Sequence, residues 1–344
     1  MNIEWYNIPS QTKVNAYTQI AESTGMAPFA VEKDWWVVQV LSAIFEMEVG
    51  KHLIFKGGTS LSKAWRLIER FSEDIDLALD RTYLGFDGKL SRTQIKKLRQ
   101  ETGKYISDAF ISELETIFKE KGFKDVSLRY IEQKASDADP AKIEVHFPNV
   151  IEYPGYIPPR VLLEISSSSL RELKETRLID SLLDEHYFES DFAETPIDVP
   201  TAIPERTFLE KLFLLHEEFH RPHERIRVDR LSRHLYDTYQ LLKSDHALKA
   251  INDKTLYETI VKHRQEFYHM GGIDYNHHQP QTLNPLPIPE FMDAWETDYR
   301  LMQERMIYGD SPPFQTMIDS IKEFTEGKIN HLDWRMDVEF PKPE

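Results

Sequence analysis

Residues 55–80, FKGGTSLSKAWRLIERFSEDIDLALD, decide how the rest of the chain is read. Ile54 and Phe55 run into two adjacent glycines, and Thr59 and Ser60 then open a stretch whose apolar positions Leu61, Ala64, Trp65 and Ile68 recur at helical spacing. The local expectation is strand, tight turn, helix. Glycines let backbone amides approach a ligand with no Cβ in the way, and a helix start offers free N–H groups and a partial positive charge, so the turn is a place for phosphates. Beyond the helix, Glu73-Asp74-Ile75-Asp76-Leu77-Ala78-Leu79 alternates polar and apolar side chains, the period of a half-buried strand. Asp74 and Asp76 then share one face. At an effective dielectric of about 20, two carboxylates ~4 Å apart repel by roughly 4 kcal/mol, so the pair calls for a cation or a raised pKa. Mg²⁺ takes oxygen ligands and favours partners that bring phosphates, which suits this pair.

Lys56-Gly57-Gly58-Thr59-Ser60-Leu61, followed by Arg70-Phe71-Ser72-Glu73-Asp74-Ile75-Asp76-Leu77, resembles the signature of polymerase-beta-like nucleotidyltransferases. More narrowly, it resembles the AbiEii/AbiGii/MenT group of toxin nucleotidyltransferases. The resemblance is strongest at residues 56–77 and looser beyond Glu205. It implies a nucleotide-binding set of Lys56, Gly57, Gly58, Thr59, Ser60, Ser72 and Lys211, with Ser72 orienting the turn before the acid strand. It also implies a third carboxylate from a neighbouring strand. Glu164, in the apolar strand Arg160-Val161-Leu162-Leu163-Glu164-Ile165, is the expected one, and Glu144 is the alternative. Asp74, Asp76 and Glu164 are then the ligands of two Mg²⁺ ions. Lys211 and Asp237 complete the catalytic group that the resemblance implies, Lys211 on the triphosphate and Asp237 binding the acceptor or orienting Lys211. From the residues alone, a lysine beside an apolar stripe simply reaches for water.

Taken along the chain, residues 11–23 and 31–46 read as helices, the second with Val31, Trp35, Val38, Leu41, Ile44 and Phe45 at helical spacing. Its Glu32-Lys33-Asp34 start resembles a segment found before the glycine motif in the AbiEii group, but the preferred reading of these residues is a plain packing helix covering the sheet. A long helix is expected over residues 92–121, ended by Gly122. Strands follow over 126–131, 143–147 and 161–165, which with the two earlier ones make a mixed sheet of about five. From about Leu170 the periodicity reads as helical, with a proline-bounded loop at 195–204. The C-terminal third reads as two or three helices split by a proline turn. The fold class is therefore α+β: a nucleotidyltransferase domain over residues 1–170 and a mostly helical domain over 171–344 that contributes to nucleotide and acceptor binding.

A chain of 344 residues is long enough for about two domains. Its net charge of −16 argues against broad nucleic-acid binding by counterion release and confines any RNA contact to a local basic patch. The densest basic run is Arg221, Arg225, Arg227, Arg230 and Arg233; it offers bidentate phosphate contacts, or equally a solvated face paired to Glu224 and Asp229. The absence of cysteine excludes disulfides, thiolate zinc sites and cysteine nucleophiles. No basic-then-apolar leader and no run of ~18 apolar residues is present, so the chain reads as soluble and cytoplasmic, with no membrane partner. His216-Glu217-Glu218-Phe219-His220 matches the zinc-hydrolase pattern H-E-x-x-H, but no third ligand follows at a suitable distance, and zinc hydrolysis would leave the glycine motif without a task.

The function that the resemblance implies is transfer of a nucleoside monophosphate from an NTP to an RNA acceptor, the tRNA 3′ end, with release of pyrophosphate. The setting is a toxin held in check by a separately encoded antitoxin. The competing acceptor is a hydroxyl on a protein or small molecule. A non-catalytic module on a degenerate fold is a further class, and the intact Asp74 and Asp76 argue against it.

Overall fold

The computed structural model describes residues 3–72, 74–154, 158–170 and 173–342; Glu73, the first residue of the expected acid strand, lies outside them. The chain divides into two compact units, one of residues 1–65 and 71–202, the other of residues 66–70 and 203–344. The expected boundary near residue 170 falls inside the first unit.

In the first unit, α1 (Glu4–Asn7), α2 (Ser10–Thr24) and α3 (Pro28–Glu46) precede β1 (Leu53–Lys56) and α4 (Gly57–Lys63). Then come β2 (Asp74–Leu79), α5 (Arg92–Tyr105), α6 (Ile111–Glu120), β3 (Ser127–Tyr130), β4 (Ala141–His146), β5 (Arg160–Ser166), β6 (Lys174–Ile179), α7 (Leu182–His186) and β7 (Ile197–Ala202). A π-helical turn, Ile106–Phe110, joins α5 to α6, so the expected long helix is present with a bulge.

The strands form one mixed sheet in the order β3-β4-β5-β2-β1-β7-β6. Seven strands replace the expected five, because two lie in the stretch read as helix and loop. The edge strand β6 carries Lys174, Glu175 and Thr176 exposed and so shows no apolar alternation. Inside β7, Pro200 reads as a breaker, yet the strand pairs with β1 only at Phe55↔Thr201, where few ladder bonds are at stake.

One face of the sheet is the core. Phe55, Ile75, Leu77, Ile143, Leu163, Ile165 and Val199 pack there with Trp35, Trp36, Leu41 and Ile44 of α3. An α-helix that is buried all round must satisfy its charged groups with partners, and α3 does so. Glu32 accepts from the backbone N–H of Val150 (2.7 Å) and Ile151 (3.2 Å), and Asp34 pairs with Lys63 at 2.8 Å. The Glu32-Lys33-Asp34 start is thus buried inside the unit. The opposite sheet face carries Ile54, Ala78 and Ala202 as a small apolar patch, beside the row of Asp76 and Glu164.

In the second unit are α8 (Pro204–Phe219), α9 (Ser232–Leu242), α10 (Asp245–Asn252), α11 (Lys254–His263), α12 (Met292–Arg305) and α13 (Phe314–Phe324). The proline turn expected between the last two is Pro312-Pro313. Residues 66–70 are held here by a bridge between Arg70 and Ile307, and the Glu69 carbonyl accepts from Tyr308 N–H at 3.1 Å. Among the described residues no helix is long and apolar enough to cross a membrane.

Candidate active site

The glycine turn is built around one close approach. Gly57 opens α4 with φ +80°, and a Cβ placed on it would lie 2.1 Å from Asp76 Oδ2. The Asp76 carboxylate therefore packs directly on the glycine backbone, where only glycine leaves room. Thr59 and Ser60 are buried, and their hydroxyls serve the protein: Thr59 is hydrogen-bonded to the Asp74 carbonyl and to Ser72 Oγ, and Ser60 donates to the Gly57 carbonyl at 2.9 Å. Thr59 and Ser72 thus tie the turn to the start of the acid strand.

α4 ends sooner than its apolar spacing suggests. Ala64 caps it, Arg66 takes φ +54°, and Trp65 turns away to donate its indole N–H to the Ala202 carbonyl at 3.0 Å. Arg177 of β6 lies over the Trp65 ring at 4.4 Å, so the unexpected edge strands fix the exit from the helix.

Register places the acids. Asp76 of β2 stands opposite Lys56 of β1 on one side and Glu164 of β5 on the other, and Glu164 stands opposite Lys142 of β4. Residues opposite one another in a ladder point to the same side, so Lys56, Asp76, Glu164 and Lys142 form one row across four strands. Glu164 is salt-bridged to Lys142. Asp74 lies two residues along the same face, opposite Leu162. Glu144, the alternative third acid, is tied to Arg129, Arg160 and His146. Hydrogen bonds from Arg129 and His146 and the charges of Arg160 and Arg129 hold its carboxyl below the ordinary range although burial, the largest single influence, acts the other way.

Among the described residues no three histidine, aspartate or glutamate side chains are gathered as a metal ion would need. The donor chemistry of Asp74 and Asp76, two carboxylates on one strand face, fits a hard divalent ion; Glu164 joins them only by leaving Lys142. A carboxylate that sequence reading passed over, Asp139, accepts from Ser166 Oγ at 2.6 Å and lies within electrostatic reach of Arg99 and Lys56. Burial raises its pKa.

The second unit brings Lys211 and Asp237 together. Lys211 Nζ is 2.7 Å from Asp237 Oδ2, while Arg70 grips the same carboxylate through Nε to Oδ1 (2.7 Å) and Nη2 to Oδ2 (2.8 Å). The Asp237 side chain is fully buried. Burial alone would raise its pKa, but the charges of Arg70 and Lys211 outweigh that and hold it well below the carboxylate range. Both oxygens are occupied, so Asp237 is placed to orient Lys211; binding an acceptor would require breaking a buried ion pair. Arg70 belongs to the quoted motif, but its partner is 167 residues away and gave no local signal.

The H-E-x-x-H segment is structural. Glu217 is buried against Arg264 (Nε–Oε1 2.7 Å) and accepts from His278 Nε2 at 3.2 Å. Despite burial, its pKa is pulled down to about 2, chiefly by Arg264. His216 Nδ1 accepts from Asn284 N–H at 3.0 Å, and His220 Nδ1 lies 2.7 Å from the His216 carbonyl. In the basic run, Arg221 and Arg227 both pair with the buried Glu218 rather than with Glu224 or Asp229.

A sequence model of the AbiEii family, described as nucleotidyl transferase AbiEii toxin of the type IV toxin–antitoxin system, matches residues 39–323. No curated protein matches the chain significantly. Among solved structures, MenT4, a nucleotidyltransferase toxin from Mycobacterium tuberculosis, is similar at 16% identity over 93% of this chain and 97% of its own, with a TM-score of 0.48. JHP933 from Helicobacter pylori is similar at 16% identity over 84% and 93%, with a TM-score of 0.33.

Proposed function

The chain belongs to the AbiEii family of nucleotidyltransferase toxins of type IV toxin–antitoxin systems, and on that premise we propose that it transfers a nucleoside monophosphate from an NTP to an RNA, at the 3′ end of tRNA, in a Mg²⁺-dependent reaction. Membership itself makes the chain a nucleotidyltransferase with an NTP as substrate and an antitoxin as partner. The observation that supports the metal and nucleotide part of this reading is the seating of the Asp76 carboxylate on Gly57, with Asp74 on the same face. This places paired acids beside backbone amides suited to phosphate oxygens.

In this reading Asp74 and Asp76 would hold Mg²⁺, with Glu164 as the candidate third ligand; the ions neutralise phosphate charge when bound. The Gly57 and Gly58 backbone cradles the triphosphate, with Lys56 beside it, while Thr59, Ser60 and Ser72 hold the turn in shape. Lys211 supplies a further positive charge to a phosphate, and Asp237 fixes its ammonium. The acceptor hydroxyl attacks the α-phosphorus and gives up its proton to solvent, the new phosphodiester forms as the α–β phosphoanhydride bond breaks, and pyrophosphate leaves. Positioning and charge compensation carry the catalysis.

The test is incubation of the purified chain with Mg²⁺, each α-³²P-labelled NTP in turn, and total tRNA, alongside Asp76→Ala and an EDTA control. Label entering tRNA with wild type and Mg²⁺ only supports the reading and names the preferred base. Label entering protein, or a small hydroxyl compound, moves the acceptor to that class while keeping the chemistry.

A further inference from the structure

We propose that His234 is a proton-holding residue of the anion site built on Lys211 and Asp237: its imidazole is neutral without a bound anion and takes up a proton when a polyphosphate binds there. The inference rests on the reading of Lys211 as a phosphate-binding lysine.

His234 stands on α9 one turn before Asp237. The charged groups whose fields act on it are Lys211 from α8, Arg233 and Asp237 from its own helix, and Arg70 from residues 66–70. Its Nδ1 is buried with no hydrogen-bond partner, while the side chain as a whole keeps partial exposure. A buried polar atom left unpartnered in a folded chain calls for an explanation, and a ligand that arrives later is one. Burial acts first on the ring, then the fields of Lys211 and Arg233, and together they hold its pKa well below the ordinary histidine range; the opposing attraction of Asp237 is weaker.

A polyphosphate reverses the sign of that field. Asp237 is already committed to Arg70 and Lys211, so the added negative charge falls on a group of cations beside a neutral imidazole. Protonated imidazole donates from both nitrogens, which gives the unpartnered Nδ1 a phosphate oxygen to meet. The coupling is reciprocal: an anion that strengthens proton binding to His234 itself binds more tightly to the protonated form, by the same factor.

The experiment uses inorganic triphosphate as probe and the intact chain. The Cε1–H resonance of His234, assigned by its loss in both His234→Gln and His234→Asn, is followed by NMR between pH 5 and 8.5 with and without saturating triphosphate. In parallel, triphosphate affinity is measured by calorimetry for wild type, His234→Gln and Lys211→Met. The expected result is an upward shift of the His234 midpoint by at least about one pH unit on binding, and a wild-type affinity that gains up to about tenfold per pH unit lowered relative to His234→Gln. Binding that leaves the His234 midpoint unmoved overturns the inference while sparing the role of Lys211. Undiminished binding by Lys211→Met, or none by wild type, overturns the reading of Lys211 itself and the inference with it.

Discussion

Replacing Gly57 with alanine separates backbone strain from displacement of Asp76, the proposed catalytic carboxylate. At φ +80° a Cβ is strained by roughly 1–2 kcal/mol whatever its surroundings. At about 2–4 °C per kcal/mol for a unit of this size, that lowers Tm by roughly 2–8 °C. The added methyl would also lie 2.1 Å from Asp76 Oδ2 and 2.8 Å from its Cγ, so the carboxylate must retreat by about 1 Å or more. A misplacement of that size in a catalytic group lowers activity on the order of a hundredfold. Gly85 is the matched control: it too sits at φ +80°, but nothing lies within 4 Å of its added Cβ. Gly57→Ala and Gly85→Ala should therefore lose similar melting temperature by differential scanning fluorimetry, while only Gly57→Ala loses nucleotidyl transfer, by about a hundredfold in kcat/KM. Wild-type kcat/KM in a folded Gly57→Ala would refute the idea that the seat of Asp76 is what the glycine protects.

Asp237→Asn leaves Arg70 and Lys211 buried without their carboxylate and should destabilise the protein by about 3–5 kcal/mol in chemical denaturation; a loss under 1 kcal/mol would mean that the pair is solvated. Acidification should act on the two units in opposite directions. In the second unit the pKa values of buried His216 and His278 are depressed, chiefly by burial, so the unfolded chain takes up protons first and stability falls as pH drops below about 6.5. Glu217 and Asp237 add a further loss below about 4.5, as pH falls toward their depressed folded values. In the first unit burial raises Glu32 and Glu194 to about 7, so stability is greatest at low pH and declines as pH rises from about 4.5 toward 7. Region-resolved amide exchange at pH 7.5 and 5.5, corrected for intrinsic rates, should show protection rising in the sheet and falling in α8 and α11; parallel changes would contradict these environments. Glu217→Gln should lower Tm by removing the partner of buried Arg264, and elemental analysis of wild type should find no stoichiometric zinc; a zinc-dependent hydrolase would show the metal.

The 55–80 stretch was legible because its signals are local: a glycine pair, a helical spacing and a two-residue alternation each refer to neighbours in the chain. What lay beyond it depended on register and on distant partners. The apolar spacing of Ala64, Trp65 and Ile68 continues the helix on paper, whereas Trp65 is claimed by the Ala202 carbonyl and Arg177. Polar β6 carries no period because its side chains meet water, and Pro200 hides β7. His216 to His220 looks like a zinc motif until Arg264 is found on Glu217. Glu164 could be chosen as an acid in an apolar strand, but only the ladder reveals Lys142 opposite it.

Each set of acids meets fixed cations, and the two settings differ in how readily that charge can be exchanged. In the first unit the inner acids of the row, Asp76 and Glu164, stand between Lys56 and Lys142. The Lys142–Glu164 side chains keep 33% and 22% of their exposure, so a freed ammonium can be rehydrated and swing away on its flexible stem. In the proposed reaction a divalent ion would take over that compensation. In the second unit the Arg70 and Asp237 side chains are 3% and 0% exposed, and the planar guanidinium binds both oxygens. Breaking that pair strands a charge without water, which makes it permanent. The Lys142–Glu164 pair is therefore suited to yield to an incoming cation, whereas Arg70 and Asp237 are suited to hold Lys211 still.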